Sequence, residues 1–191
     1  MRRIAFVARV SVVVAWLGSI GCSGPASAPD ATASVAGVVP STCGSTQRVH
    51  AFGDFRLASQ PAAADFEIAK AAGVRTVINL RHEHEIKDFD ERAVVTGLGM
   101  TYVNLPWHGP EELNDAVFTR ARELLRTVEP PVLVHCGSAN RVAAVWIPWR
   151  VLDGGVPFEQ ALTEAKAIGL KTPEFETKAK DYVLRHQSDQ H

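Results

Sequence analysis

PVLVHCGSANR, residues 131–141, is the stretch on which the architecture of this chain turns. Val132, Leu133 and Val134 form an apolar run of the kind found in strands buried on both faces of a parallel sheet. Gly137 and Ala139 interrupt it, and from Asn140 a helical stretch runs to Leu152, closed by Gly154 and Gly155. The loop between strand and helix therefore lies at the carboxyl end of a strand, where open α/β sheets bind ligands. It also lies at a helix N-terminus, whose unpaired N–H groups and positive dipole end attract an anion. A thiol at Cys136 stands in a field that favours its thiolate. Arg141 brings a planar fork of donors suited to an oxyanion. His135, Gly137, Ser138, Ala139 and Asn140 complete an anion-binding loop, in which small residues let the backbone curl its N–H groups inward. His135 packs beneath it. A buried small hydrophobe is the plain alternative for Cys136, and its neighbours argue against it.

The flanking sequence repeats the alternation. Val49–Leu57 reads as an opening strand and Ala63–Ala72 as a helix stopped by Gly73. Arg75–Leu80 reads as a strand, Phe89–Gly97 as a helix, and Thr101–Leu105 as the next strand. Glu111–Val128 reads as one long amphipathic helix, and Pro157–Ile168 and Pro173–Arg185 as two closing helices with proline in the first turn. This pattern predicts an α/β fold, a central, mostly parallel sheet flanked by helices. Pro148 falls inside the helix after Cys136 and should kink it. Trp146 and Trp149 read as core. A length of 191 residues suffices for one domain, and 46% hydrophobic with 21% charged residues describes a globular one. A net charge of -1 gives no reason to expect nucleic acid as partner.

Residues 1–22 differ in kind. Arg2 and Arg3 precede an apolar run, Ile4–Leu17, and small residues follow. That is the pattern of a bacterial export signal, too short for a membrane span of about 20 residues. Gly21-Cys22 resembles a lipoprotein cleavage point, which makes Cys22 the expected site of lipidation and a lipid anchor the expected tie to the membrane. Residues 23–46, rich in Ala, Ser, Pro, Gly and Thr, read as a flexible tether. The domain is expected over 47–187 with a tail at 188–191, in the periplasm or at the cell surface. Cys43, in the tether, reads as an incidental exposed thiol.

Four segments carry a resemblance to the cysteine-phosphatase superfamily, in particular its bacterial dual-specificity and tyrosine phosphatase-like members. They are LASQP (57–61), GVRTVINLR (73–81), Tyr102–Pro106 and Val132–Arg141. The chain is also similar to the phosphatase-like domain fused to some NAD kinases and to a phosphatase-like sulfurtransferase domain fused to persulfide dioxygenases. The resemblance runs from about Phe52 to about Leu184. It implies a cysteine-phosphatase-like fold, a cysteinyl-phosphate on Cys136, no cofactor, and a place in the cleft for Gln60. Arg81 ends the strand beside that of Cys136; it either adds positive charge to the cleft or is a solvated surface arginine.

Three departures bear on activity. The superfamily's phosphatases have five residues between Cys and Arg, and this chain has four. They carry Ser or Thr after the Arg, where Val142 stands. They carry an Asp general acid on the loop that here holds His108 and Gly109. His108 is the candidate acid in its stead, with a surface-loop histidine as the alternative. Glu111 and Glu112 are explained by a helix's first turn. Residues 82–85, His-Glu-His-Glu, resemble a metal cluster, but alternate side chains diverge in an extended segment, so no metal is expected. A four-residue spacing is common in rhodanese-type sulfurtransferases. The expected function is thus an exported cysteine phosphatase, then a sulfurtransferase through a Cys136 persulfide, then a silent anion-binding module. Its substrate is a phosphorylated or sulfur-donor small molecule or protein.

Overall fold

Six short strands form a single sheet in the computed structural model, which describes residues 37–187. They are β1 (Val39–Ser41), β2 (Val49–Phe52), β3 (Phe55–Ala58), β4 (Thr76–Asn79), β5 (Thr101–Asn104) and β6 (Val132–His135), in the order β1-β2-β3-β6-β4-β5. β3, β6, β4 and β5 run parallel, while β1 and β2 extend the sheet antiparallel beyond β3. The expected α/β class and flanked, mostly parallel sheet are what the structure shows. β4 and β6 are buried at every position, as strands covered on both faces must be.

On one face lie α1 (Ala63–Ala71) and α2 (Glu91–Gly97). On the other lie α4 (Asp115–Thr127), α5 (Asn140–Leu152), α6 (Phe158–Ile168) and α7 (Pro173–Gln187). Side chains alternate across a strand. Val132 and Val134 therefore join the core under α4–α7, and Leu133 the core under α1 and α2. The same alternation sends His135 toward α1, 6.0 Å from the Phe66 ring, and leaves Cys136 on the α5 side. α5 is apolar nearly all round, as a central helix is. It matches its expected span and continues past the buried Pro148 to Leu152.

Three expectations are corrected. Val49–Leu57 is a hairpin, not one strand: the chain turns at Gly53 and Asp54, with Gly53 at φ 50. Glu111–Val128 is two helices, α3 (Gly109–Glu112) and α4, because the Asn114 side chain accepts from the Val117 N–H at 3.2 Å and caps α4. The tether does not extend to residue 46. β1 pairs with β2, and the strap that follows is fastened to Asp65 on α1. Its carboxylate accepts from Ser45 N at 2.8 Å, Ser45 Oγ at 3.0 Å and Thr46 Oγ1 at 2.9 Å. Burial alone would raise the Asp65 pKa; these bonds and one from Ala62 N outweigh it and hold the carboxyl below its usual value. A Cβ on Gly44 would lie 2.0 Å from Asp65 Oδ1, so only glycine admits the contact. Cys43 is consequently 7% exposed rather than an open thiol, and burial pushes its pKa up. A segment rich in Ser, Thr and Gly folds here because the Asp65 carboxylate accepts from its backbone and hydroxyl donors. Residues 1–36, with Cys22 and the export signal, and the tail at 188–191 lie outside the described residues.

Candidate active site

The loop begins where β6 ends. The Cys136 N–H donates to Ala58 O at 3.3 Å, and Gln60 N donates to Gly137 O at 3.3 Å, so the segment after β3 grips one side of the loop. Ser138 forms a bridge to Ser59. Ala139 takes the left-handed conformation, φ 68, and serves as the N-cap of α5 without a side-chain acceptor. The first bond within α5 runs from Ala143 N to Ala139 O at 2.9 Å. The N–H groups of Asn140, Arg141 and Val142 are therefore left over at the helix end, as an anion site requires. Asn140 pins the α6–α7 connection beside the loop, accepting from Lys171 N and donating to Thr172 Oγ1, both at 2.8 Å. The Cys136 residue is 1% exposed beneath this arch.

Arg141 is held along one edge. Nη1 donates to Glu85 Oε1 at 2.8 Å, Trp107 O at 2.8 Å and Leu80 O at 3.2 Å, and Nη2 donates to Glu85 Oε2 at 2.7 Å. These bonds do not use Nε–H or the second Nη2–H, a side-on fork for an oxyanion, and the guanidinium also bonds the Cys136 sulfur beside it. Burial opposes the Arg141 charge, but Glu85 and the neighbouring Cys136 sulfur more than offset it and raise the pKa. Glu85 is pulled down to about 2, chiefly by Arg141, against burial and with help from His82 N and Arg81. In the sequence Glu85 stands out only as part of the metal-like run 82–85, not as a partner of Arg141. The 82–85 segment is not extended but ends in a 3-10 turn, Glu83–Glu85, which sends Glu85 inward. His82 and His84 stack 5.3 Å apart, and His82 Nε2 lies 2.8 Å from Glu112 Oε2.

His135 is fully buried, and its Nε2 lies 3.0 Å from Glu91 Oε1. Burial would raise the Glu91 pKa; bonds from His135, Gln60 and Tyr102 outweigh it and keep the carboxyl below its usual value. Glu91 Oε2 accepts from Gln60 Nε2 at 2.6 Å, Gln60 Oε1 accepts from Arg81 Nη1 at 2.6 Å, and Arg81 Nη2 donates to Glu85 O at 2.6 Å. Arg81 is thus tied to Gln60 and Glu85 rather than solvated, and it is not among the residues that line the cleft over the loop. Glu91 was also missed. It reads as an ordinary first-turn acid of α2, and no local signal separates the two roles.

A cleft of about 310 Å³ opens over the loop, lined by His108, Gly137, Ser138, Asn140, Arg141 and Thr172. His108 is exposed at this mouth, its backbone N–H tied to Glu112 Oε2 at 2.7 Å. No carboxylate lines this cleft among the described residues. Val142 is buried, with no hydroxyl to offer. A second cleft, about 590 Å³, adjoins the first at Gly137 and is lined by Ser59, Gln60, Pro61, Asp88 and Phe89, among others. Gln60 therefore borders this neighbouring cleft rather than the one that holds His108 and Arg141.

The family described as beta-lactamase hydrolase-like protein, phosphatase-like domain, matches residues 49–150. The chain belongs to this family. This phosphatase-like domain is 28% identical over 104 residues to the beta-lactamase hydrolase-like protein of Agrobacterium fabrum strain C58, covering 52% of the present chain and 24% of that protein. The chain thus matches only about a quarter of that relative. Solved structures agree on the fold. TpbA from P. aeruginosa, in complex with phosphotyrosine, superposes with a TM-score of 0.62 at 20% identity, over 82% of this chain and 99% of that one. Tk-PTP in its active form gives 0.57 at 20% identity, over 70% and 94%. At these identities the likeness is one of fold, that of cysteine-type phosphatases.

Proposed function

We propose that this domain is a cysteine-dependent phosphatase that forms a cysteinyl-phosphate on Cys136. The observation that carries the reading is the Arg141 guanidinium: Glu85 holds one edge and leaves the Nε–Nη2 edge for an oxyanion, beside the leftover α5 N–H groups and Cys136. The thiolate attacks phosphorus, the P–O bond to the leaving group breaks, and its electron pair departs on that oxygen, which takes a proton from His108. Water then cleaves the S–P bond, His108 accepts its proton, and the thiolate returns. The phosphotyrosine bound by TpbA makes an aryl phosphate the natural probe. Acid quenching during turnover of p-nitrophenyl phosphate should trap one phosphoryl group on the Cys136 peptide, and Cys136→Ser should abolish it. Turnover without that adduct would overturn the mechanism.

One set of observations favours a second reading, sulfur transfer. The loop is one residue short, Val142 replaces the hydroxyl that helps a thiolate leave, and among the described residues no carboxylate lines the cleft. A persulfide adds one atom rather than a tetrahedral group, and sulfite leaves thiosulfate without an acid. A Cys136 peptide heavier by one sulfur after thiosulfate, with none phosphorylated, would favour it. Binding of sulfate or vanadate with neither adduct would mark a silent anion-binding module. Export and a lipid anchor on Cys22 belong to the same proposal: Cys22→Ala should release the protein from the membrane fraction, and unchanged association would refute lipidation.

A further inference from the structure

We infer that Gln60 is a positioning residue whose side-chain amide joins the His135–Glu91 pair to the Arg81–Glu85–Arg141 chain and so holds both ends of the Cys136 loop in one register. The inference rests on the loop being the reaction centre, not on which group it transfers. Gln60 touches the loop directly through its N–H to Gly137 O. Its side chain touches the two anchors. Nε2 donates to Glu91 Oε2 at 2.6 Å and to Pro61 O at 3.1 Å, and Oε1 accepts from Arg81 Nη1 at 2.6 Å. The amide meets both demands at any pH, because one partner is a carboxylate that needs a donor and the other a guanidinium that needs an acceptor. A flipped amide would set oxygen against carboxylate and NH2 against guanidinium.

From His135, which immediately precedes Cys136, hydrogen bonds run without a gap through Glu91, Gln60, Arg81 and Glu85 to Arg141. The termini of this chain are Arg141 and the residue immediately before Cys136. The charged and titratable groups facing Gln60 and Glu91 are His135 on β6, Tyr102 on β5, Arg92 over the Tyr102 ring, Arg81, Glu85, and Asp88 in the same cleft. Asp65 on α1 is engaged by the strap.

Gln60→Glu tests the inference in the full-length chain. At about pH 5 the introduced carboxyl can keep a proton, donate to Glu91 and accept from Arg81 as the amide does; at about pH 8 two carboxylates would oppose each other. Three readings are taken at both pH values: alkylation of Cys136 by iodoacetamide, followed on its own peptide; vanadate affinity; and turnover of p-nitrophenyl phosphate. We expect Gln60→Glu to stay near wild type at about pH 5 and to fall about tenfold or more at about pH 8, and Gln60→Leu to be low at both. The exchange Gln60→Glu with Glu91→Gln restores one donor and one acceptor and should recover the pH 8 values; it also decides the matter if the single variant does not fold. A Gln60→Glu profile parallel to wild type, or an exchange variant that recovers nothing, would overturn the inference. If alkylation and vanadate binding respond as expected while wild type hydrolyses no phosphate ester, the phosphatase reading fails and the role of Gln60 stands.

Discussion

Replacing Glu85 with Gln keeps the shape that meets Arg141 and removes the charge. The Glu85 carboxyl moves from 4.5 to about 2 on folding, chiefly through Arg141, and that displacement corresponds to about 3 kcal/mol in favour of the anion. Both side chains are well covered, 16% and 11% exposed, so solvent takes away little of this. A carboxyl depressed by folding contributes its stability above the unfolded pKa and loses it as pH falls toward the folded one. The gap between wild type and Glu85→Gln should therefore be about 3 kcal/mol at pH 7, or about 6–12 °C in Tm for a domain of this size. It should narrow by about 2 kcal/mol on going to about pH 3, where most of the contribution has been lost. Urea titrations followed by far-UV circular dichroism at the two pH values measure it. A gap equal at both would show that the Glu85 charge is not what Arg141 relies on, and no gap at all would refute the pairing.

Arg141→Lys keeps the charge and loses the side-on fork; calorimetry should show vanadate or sulfate affinity falling by about tenfold or more, and unchanged affinity would mean Arg141 does not face the anion. Ala139→Val puts a β-branched residue at φ 68 in a buried position and should cost about 2–3 kcal/mol, read from the urea midpoint. A chain that begins at Gln47 lacks β1 and the strap on Asp65; it should unfold at lower urea than one that begins at Gly37, and equal midpoints would return residues 37–46 to the tether. Inserting Gly between Ser138 and Ala139 widens the loop to the phosphatase spacing; it should raise turnover of an aryl phosphate and lower any thiosulfate:cyanide activity if loop width is limiting.

Local pattern was sufficient for the strand, loop and helix around Cys136. An apolar run, small residues and a helical stretch lie within about twenty residues, and α5 spans the range that its composition implies. The nearness of Cys136 to Arg141 follows from a four-residue spacing at a helix start, and so does the stock of N–H groups. Turn and cap signals that depend on one or two residues were harder to read. Phe-Gly-Asp-Phe at 52–55 turns a hairpin, and Asn114 divides α3 from α4. The rest was not local at all. Glu85 lies 56 residues from Arg141 along the chain, and Glu91 lies 44 from His135. In sequence each is one more surface acid. Pairing β4 beside β6 brings the turn after β4 over Arg141, and side-chain alternation along β6 sends His135 to the face that α2 covers. Cys43 likewise reads as exposed until Asp65 folds the strap over it. Short-range spacing thus sets which groups carry the chemistry, because strand and helix periods are properties of neighbouring residues. Which charges hold those groups in place depends on sheet order and on which face each strand turns to its helices, and these are relations among segments that the chain brings together only on folding.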